Sequence, residues 1–78
     1  MGKLEVLIGD VLGIPTDHVA EDLGFQTVRE WDSARHVDLM LALEAALDIE
    51  VDADAMVELT TVGAIRRFVM ERSPEWEA

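Results

Sequence analysis

The chain has 78 residues, 50% of them hydrophobic, with 6 lysines and arginines against 17 aspartates and glutamates, no cysteine and a formal net charge of −11. This length supports one small domain with one modest core, and the missing cysteines exclude a disulfide staple, a thiolate metal site and a cysteine nucleophile. The acidity disfavours nucleic acid and anionic membrane surfaces, which need a basic footprint, and it suits basic partner proteins.

The first element is predicted from Lys3 to Ile14. Leu4, Leu7, Ile8, Val11 and Leu12 fall at the i, i+3, i+4, i+7, i+8 spacing of one buried helix face. Gly13 and Pro15 stop it. The start, Met1-Gly2-Lys3-Leu4, lacks the apolar core of a signal peptide, and no hydroxyl residue follows Gly2 at the myristoylation position. The longest apolar run is too short for a bilayer span, so the expected location is the cytoplasm.

Pro15 to Asp32 reads as a long connection that drops Val19, Leu23, Phe25 and Val28 into the core, with a short turn near Asp17 to Ala20. A loop of this length in a small domain is commonly functional. It ends at Ser33.

The strongest helix is predicted from Ser33 to Leu47. Leu39, Leu43 and Leu47 stack at i, i+4, i+8, flanked by Met40 and Ala46. A second stripe of Ala34, Val37 and Leu41 has two readings, a widened core face or a surface for a partner. Asp38, Glu44 and Asp48 are expected on the solvated side. Asp52 is placed to cap a short helix from Ala53 to about Glu58, and Thr60 or Thr61 to cap a last helix from Val62 to Arg72. Val62, Ile65, Phe68 and Val69 of that helix should face inward, with Arg66, Arg67 and Arg72 toward its C-terminal part, where cations suit the dipole. The expectation is an all-α domain over 1–78, with a core at about 3–72 and a tail at 73–78.

Three local patterns invite chemistry. Asp48, Glu50, Asp52 and Asp54 mimic a calcium loop, but the sixth and twelfth positions hold Ala53 and Leu59 where glycine and glutamate are required. His18 and His36 have no second histidine at ligand spacing. His36 lies one helical turn after Ser33, yet a hydrolase would also need a third acidic member, an oxyanion hole and a substrate pocket that so small a domain has little room for. Ser33 itself, after Asp32, has two readings: a helix N-cap, or an exposed hydroxyl presented for modification at a helix N-terminus that favours a phosphate.

Four stretches in register carry a family resemblance: Trp31-Asp32-Ser33, Val37 to Glu44, Asp48-Ile49-Glu50-Val51, and Leu59 to Ile65. Together they make nearly the whole chain resemble an acyl carrier protein. The resemblance implies a four-helix bundle of three main helices and one short one, with a long first loop. It implies that Ser33 carries 4′-phosphopantetheine, transferred from coenzyme A by a separate magnesium-dependent transferase. The arm's thiol then holds acyl groups as thioesters, so the cofactor supplies the thiol and the protein supplies position. Asp32 would help the transferase dock, and Val37, Asp38, Leu41 and Glu44 would form the recognition surface for partner enzymes.

The chain departs from the family pattern at Glu30, where glycine is common, at Ala34, where leucine is usual, and at Arg35 and His36, where acidic or neutral residues are frequent. Ala34, Arg35 and His36 are therefore expected to select partners. These departures point to a stand-alone carrier of polyketide or related secondary metabolism, itself no enzyme and a monomer when free. Its expected partners are the phosphopantetheinyl transferase and acyltransferase, adenylating or ligase, and ketosynthase-type enzymes with basic patches. A stand-alone peptidyl (aminoacyl) carrier and a helical interaction module whose Ser33 is only a cap are the alternatives.

Overall fold

A computed structural model describes residues 2–77. Four α-helices appear: α1 (Lys3–Leu12), α2 (Ser33–Leu47), α3 (Ala53–Glu58) and α4 (Val62–Arg72), with single 3-10 turns at Thr16–His18 and Pro74–Trp76. Among the described residues the only extended pairing is an isolated bridge between Gly24 and Thr61. The all-α bundle with a long first loop is the expected architecture. The last three α-helices have the predicted bounds.

The apolar periodicity explains the packing. Leu4, Ile8 and Leu12 of α1, Leu39, Met40 and Leu43 of α2, and Val62, Ile65 and Val69 of α4 are almost completely buried in one cluster. Each such aliphatic side chain contributes about 1.5–3 kcal/mol relative to an exposed one. Helix α1 stops at Leu12, short of Ile14, because Gly13 takes a left-handed conformation (φ 72°) and donates back to the Gly9 carbonyl at 2.8 Å. Asp52 and Thr61 cap α3 and α4 by accepting from Ala55 N (2.8 Å) and Ala64 N (3.0 Å).

The long connection over residues 13–32, called loop 1, is a structural member. Its Leu23 and Glu21 carbonyls accept from Val62 N at 2.9 Å and Gly63 N at 3.0 Å, two amides at the start of α4 with no acceptor inside their own helix. Phe25 N donates in turn to the Thr60 carbonyl at 2.8 Å. The approach is so close that a Cβ on Gly24 would lie 2.9 Å from the Thr60 carbonyl oxygen. Val19 is buried from this loop, and Leu23, Phe25 and Val28 pack against the core at partial exposure.

Residues 73–77 correct the expectation of a tail; Ala78 lies outside the described residues. Ser73 is buried and Trp76 packs on the core. Glu77 Oε1 accepts from Leu4 N at 2.8 Å, supplying from the far end of the chain a cap that Gly2 cannot provide to α1. Glu77 Oε2 accepts from Arg66 Nη1 at 2.9 Å. The same guanidinium donates to Glu21 Oε1 at 2.6 Å and to Glu5 Oε2, so it joins α1, loop 1, α4 and the C-terminal turn. Arg66 is thus a hub rather than a charge placed for the helix dipole. Burial pulls its pKa down, but hydrogen bonds and charge from Glu5 and Glu21 outweigh this and hold it above the ordinary arginine value. A raised base contributes stability that is full below its unfolded pKa and fades only as pH climbs through the folded one. The arginine side of the hub is therefore charged throughout the neutral range.

Two substitutions test this account. Arg66→Met leaves three carboxylates facing one another and is expected to lower the urea-unfolding free energy by about 1–3 kcal/mol, with a smaller loss at high salt. Gly24→Ala should destabilise by about 1–3 kcal/mol through the clash with Thr60, read as a lower urea midpoint at unchanged slope.

Candidate functional site

The site is the start of α2, where loop 1 ends. Asp32 has the extended backbone of an N-cap (φ −100°, ψ −174°), and its Oδ1 accepts from Arg35 N at 2.9 Å. Ser33 is the first helical residue and is exposed. The capping duty read for Ser33 thus falls to Asp32, because the side chain that reaches the third amide is the one just outside the helix. The Ser33 hydroxyl is relieved of that task and faces solvent at the positive end of the helix.

The two residues after Ala34 are tied inward. Arg35 Nη1 donates to the Leu12 carbonyl at 2.7 Å, a cation on the last turn of α1, where an unpaired carbonyl and the helix dipole both favour it. His36 is only 7% exposed. Trp31 Nε1 donates to His36 Nδ1 at 2.9 Å, and His36 Nε2 lies 2.9 Å from the Met56 carbonyl of α3. An indole N–H only donates, so Nδ1 must accept; the proton then sits on Nε2 and points at the carbonyl. Both ring nitrogens are engaged. Neither is left to act as a base for Ser33, which removes the Ser–His pair as a hydrolytic device. Phe25 lies against the same ring, centroids 5.2 Å apart, and Trp31 stacks on it at 6.0 Å. Trp31 is completely buried at the junction of loop 1 and α2.

Beside Ser33 runs an apolar groove of about 330 Å³, lined by Phe25, Ser33, His36, Val37, Met56, Val57 and Thr60. Among its lining residues Val37 is 45% and Val57 75% exposed, and Leu41, one turn along α2 from Val37, is 57% exposed. The stripe of Ala34, Val37 and Leu41, which the periodicity leaves between core and surface, lies on the surface. Asp38 is exposed on the same helix. Glu44 is half-buried, and its Oε2 accepts from Val51 N at 2.8 Å, so it braces the α2–α3 connection. Two of the four acids that mimic a calcium loop have structural posts: Asp48 is the left-handed C-cap of α2 (φ 55°) and Asp52 is the N-cap of α3.

Ser33, Asp32, Ala34, Val37, Asp38 and Leu41 therefore share an exposed face, whereas Arg35 and His36 bind the body of the protein. Phe25, read from the sequence as a core plug, Thr60, read as a possible helix cap, and Met56 and Val57, given no role there, join the site. The one signal for Phe25, Met56 and Val57 is that apolar residues appear in a loop and on a six-residue helix, where the local pattern assigns no face.

The site combines an exposed hydroxyl at a helix start, an open apolar groove beside it, and an acidic, apolar-dotted helix leading away. The fold and site define a carrier scaffold. The family model described as "phosphopantetheine attachment site" matches residues 2–69. An acyl carrier protein of a Picosynechococcus strain is 30% identical over 71 residues, covering 91% of this chain and 88% of that relative. The chain belongs to the phosphopantetheine-binding acyl carrier protein family. Its members are carriers and not catalysts, their covalent cofactor is 4′-phosphopantetheine, and they are substrates of a phosphopantetheinyl transferase and interact with biosynthetic enzymes.

The division of labour between Asp32 and Ser33 has a measurable consequence. Asp32→Ala should cost about 0.5–2 kcal/mol of stability through loss of the cap, and Ser33→Ala much less, both read from thermal or urea unfolding. A larger loss from Ser33→Ala would reassign the cap.

Proposed function

We propose that Ser33 is the attachment residue and that the protein is a discrete carrier presenting acyl intermediates to biosynthetic enzymes. The observation that carries the reading is the exposed Ser33 hydroxyl at the head of α2, with its capping duty taken by Asp32 and an apolar groove alongside. The residues fit the group. The leading amides of α2 and the helix dipole favour the phosphodiester formed at Ser33 Oγ. The groove gives the apolar part of the arm or its cargo a surface to lie on. When bound, the arm supplies the thiol on which the acyl group is held as a thioester.

Asp32, Asp38 and the net charge of −11 set the long-range attraction to basic partner patches. Val37, Leu41 and Val57 supply the short-range apolar contact. With Arg35 turned onto Leu12 and His36 buried, Ala34 is left as the small, exposed residue next to the attachment point, where the family usually has leucine. A flattened contact there supports a dedicated partner set, and we favour polyketide or related secondary metabolism over housekeeping fatty-acid synthesis. The compartment we propose is the cytoplasm, where coenzyme A and the transferase are at hand. Among the described residues no helix is long and apolar enough to cross a membrane.

Incubation with coenzyme A, magnesium and a promiscuous phosphopantetheinyl transferase should add one phosphopantetheine by intact mass, and Ser33→Ala should abolish the gain. No gain in the wild type, or gain that survives Ser33→Ala, overturns the assignment. Asp32→Asn keeps a capping oxygen and should unfold close to wild type, while the transferase KM for the carrier rises about two- to tenfold with loss of the charge. Raising the salt concentration should weaken partner binding; affinity that is flat in salt would remove the electrostatic part of the reading.

A further inference from the structure

The groove at Ser33 has one wall on α2 and the other on α3, and the exposed apolar rims of the two walls are Val37 and Val57. Helix α3 is only six residues long, and none of its residues is buried. A helix that short does not hold its place by its own hydrogen bonds. Ala55 and Met56 pack it against the core and the buried Val51 and Leu59 anchor its two ends, and the side chain that ties it to α2 by a hydrogen bond is His36. Its Nε2–H reaches the Met56 carbonyl at 2.9 Å, while its Nδ1 is held by the Trp31 indole at 2.9 Å.

We propose that Trp31, His36 and the Met56 carbonyl form a hydrogen-bonded clasp that sets the width of the groove beside Ser33, with His36 as a positioning residue for partner recognition. The clasp is directional. Trp31 is locked in the core, so its N–H fixes the tautomer and the plane of the imidazole, and the imidazole then offers its single remaining proton to α3. Three elements that diverge from the attachment point, loop 1, α2 and α3, are thereby held in one register. A partner that touches both Val37 and Val57 meets a preset spacing and spends no binding energy on ordering α3. The hydrophobic alternative at position 36 would fill the same space but leave the Trp31 N–H and the Met56 carbonyl without partners, which explains why a polar ring with two opposed nitrogens stands there.

The recognition part rests on Ser33 being the attachment residue; the clasp itself does not, and the experiment separates the two. Three variants are made in the 78-residue apo-protein with Trp76→Phe, so that Trp31 is the only indole. His36→Asn keeps a group near Nδ1, His36→Gln keeps one near Nε2, and His36→Leu keeps neither. Amide exchange of α3 should quicken about tenfold in His36→Leu and in His36→Asn, and return toward wild type in His36→Gln. The Trp31 indole N–H resonance should move in His36→Leu and stay close to wild type in His36→Asn. Exchange that quickens equally in all four helices, or that is unchanged in α3, overturns the clasp. With the transferase, His36→Leu should raise KM for the carrier about three- to tenfold and leave kcat within about twofold. A clasp that behaves as described with an unchanged KM overturns the recognition role. A wild-type protein that takes up no arm overturns the Ser33 assignment and leaves the apo-protein result to judge the clasp alone. The Asn and Gln variants carry the test should His36→Leu fail to fold.

Discussion

The start of helix α4 offers backbone N–H groups that its own helix cannot satisfy, and the rest of the site depends on how loop 1 fills them. Val62 and Gly63 donate to Leu23 and Glu21, and Phe25 donates back to Thr60. A buried helix end without partners is costly, so the loop is held there by a requirement of α4 as much as by its own side chains. Once residues 21–25 are anchored, the remaining stretch to Asp32 has little freedom. A turn in which Gln26 N donates to the Trp31 carbonyl at 2.9 Å closes it and drives the Trp31 ring inward. Ser33 emerges next, at a place on the surface determined by hydrogen bonds made some 10 residues earlier in the chain and 30 later.

From that anchor the head of α2 is tied in three directions by three successive kinds of contact. Asp32 satisfies the helix's own third amide, Arg35 reaches the last turn of α1, and His36 bridges Trp31 and α3. Of the three residues that part from the usual family pattern after Ser33, Ala34 makes no tie, and Arg35 and His36 make the last two. Their polar character suits buried backbone partners better than it suits an incoming protein. The head of α2 is thus stiffened by short polar ties at Arg35 and His36.

The acidic surface has two populations that composition alone treats as one. The carboxylates of Asp52, Glu44, Glu5, Glu21 and Glu77 are committed to a cap, a connection brace and the Arg66 hub. Asp32 serves both as a cap and as exposed charge, and Asp38 stands free on the face beside Ser33. The net charge therefore overstates what any partner meets at close range, although the whole of it acts at a distance.

The helices were legible because their causes are local. Apolar spacing, a cap one residue before each of α2, α3 and α4, and a glycine or aspartate in left-handed conformation after α1 and α2 all lie within a turn or two of the boundary they set. Ser33 was legible as a candidate for the same reason, together with the register of four stretches that resemble one family. The groove, the clasp and the hub were not. Arg35 meets a partner 23 residues away, His36 one 20 away, Arg66 one 61 away, and Glu77 one 73 away. No periodicity encodes such pairs, and the C-terminal turn read as a tail for want of a helical pattern. The sequence by itself determined which segments are helices, which faces are apolar and which serine stands at a helix start. Only the tertiary structure decided that Asp32 and not Ser33 is the cap, that Arg35 reaches back to the Leu12 carbonyl, and that a buried His36 bridges Trp31 and the Met56 carbonyl of α3. Those outcomes depend on where distant backbone donors and acceptors come to lie once the chain has closed on itself.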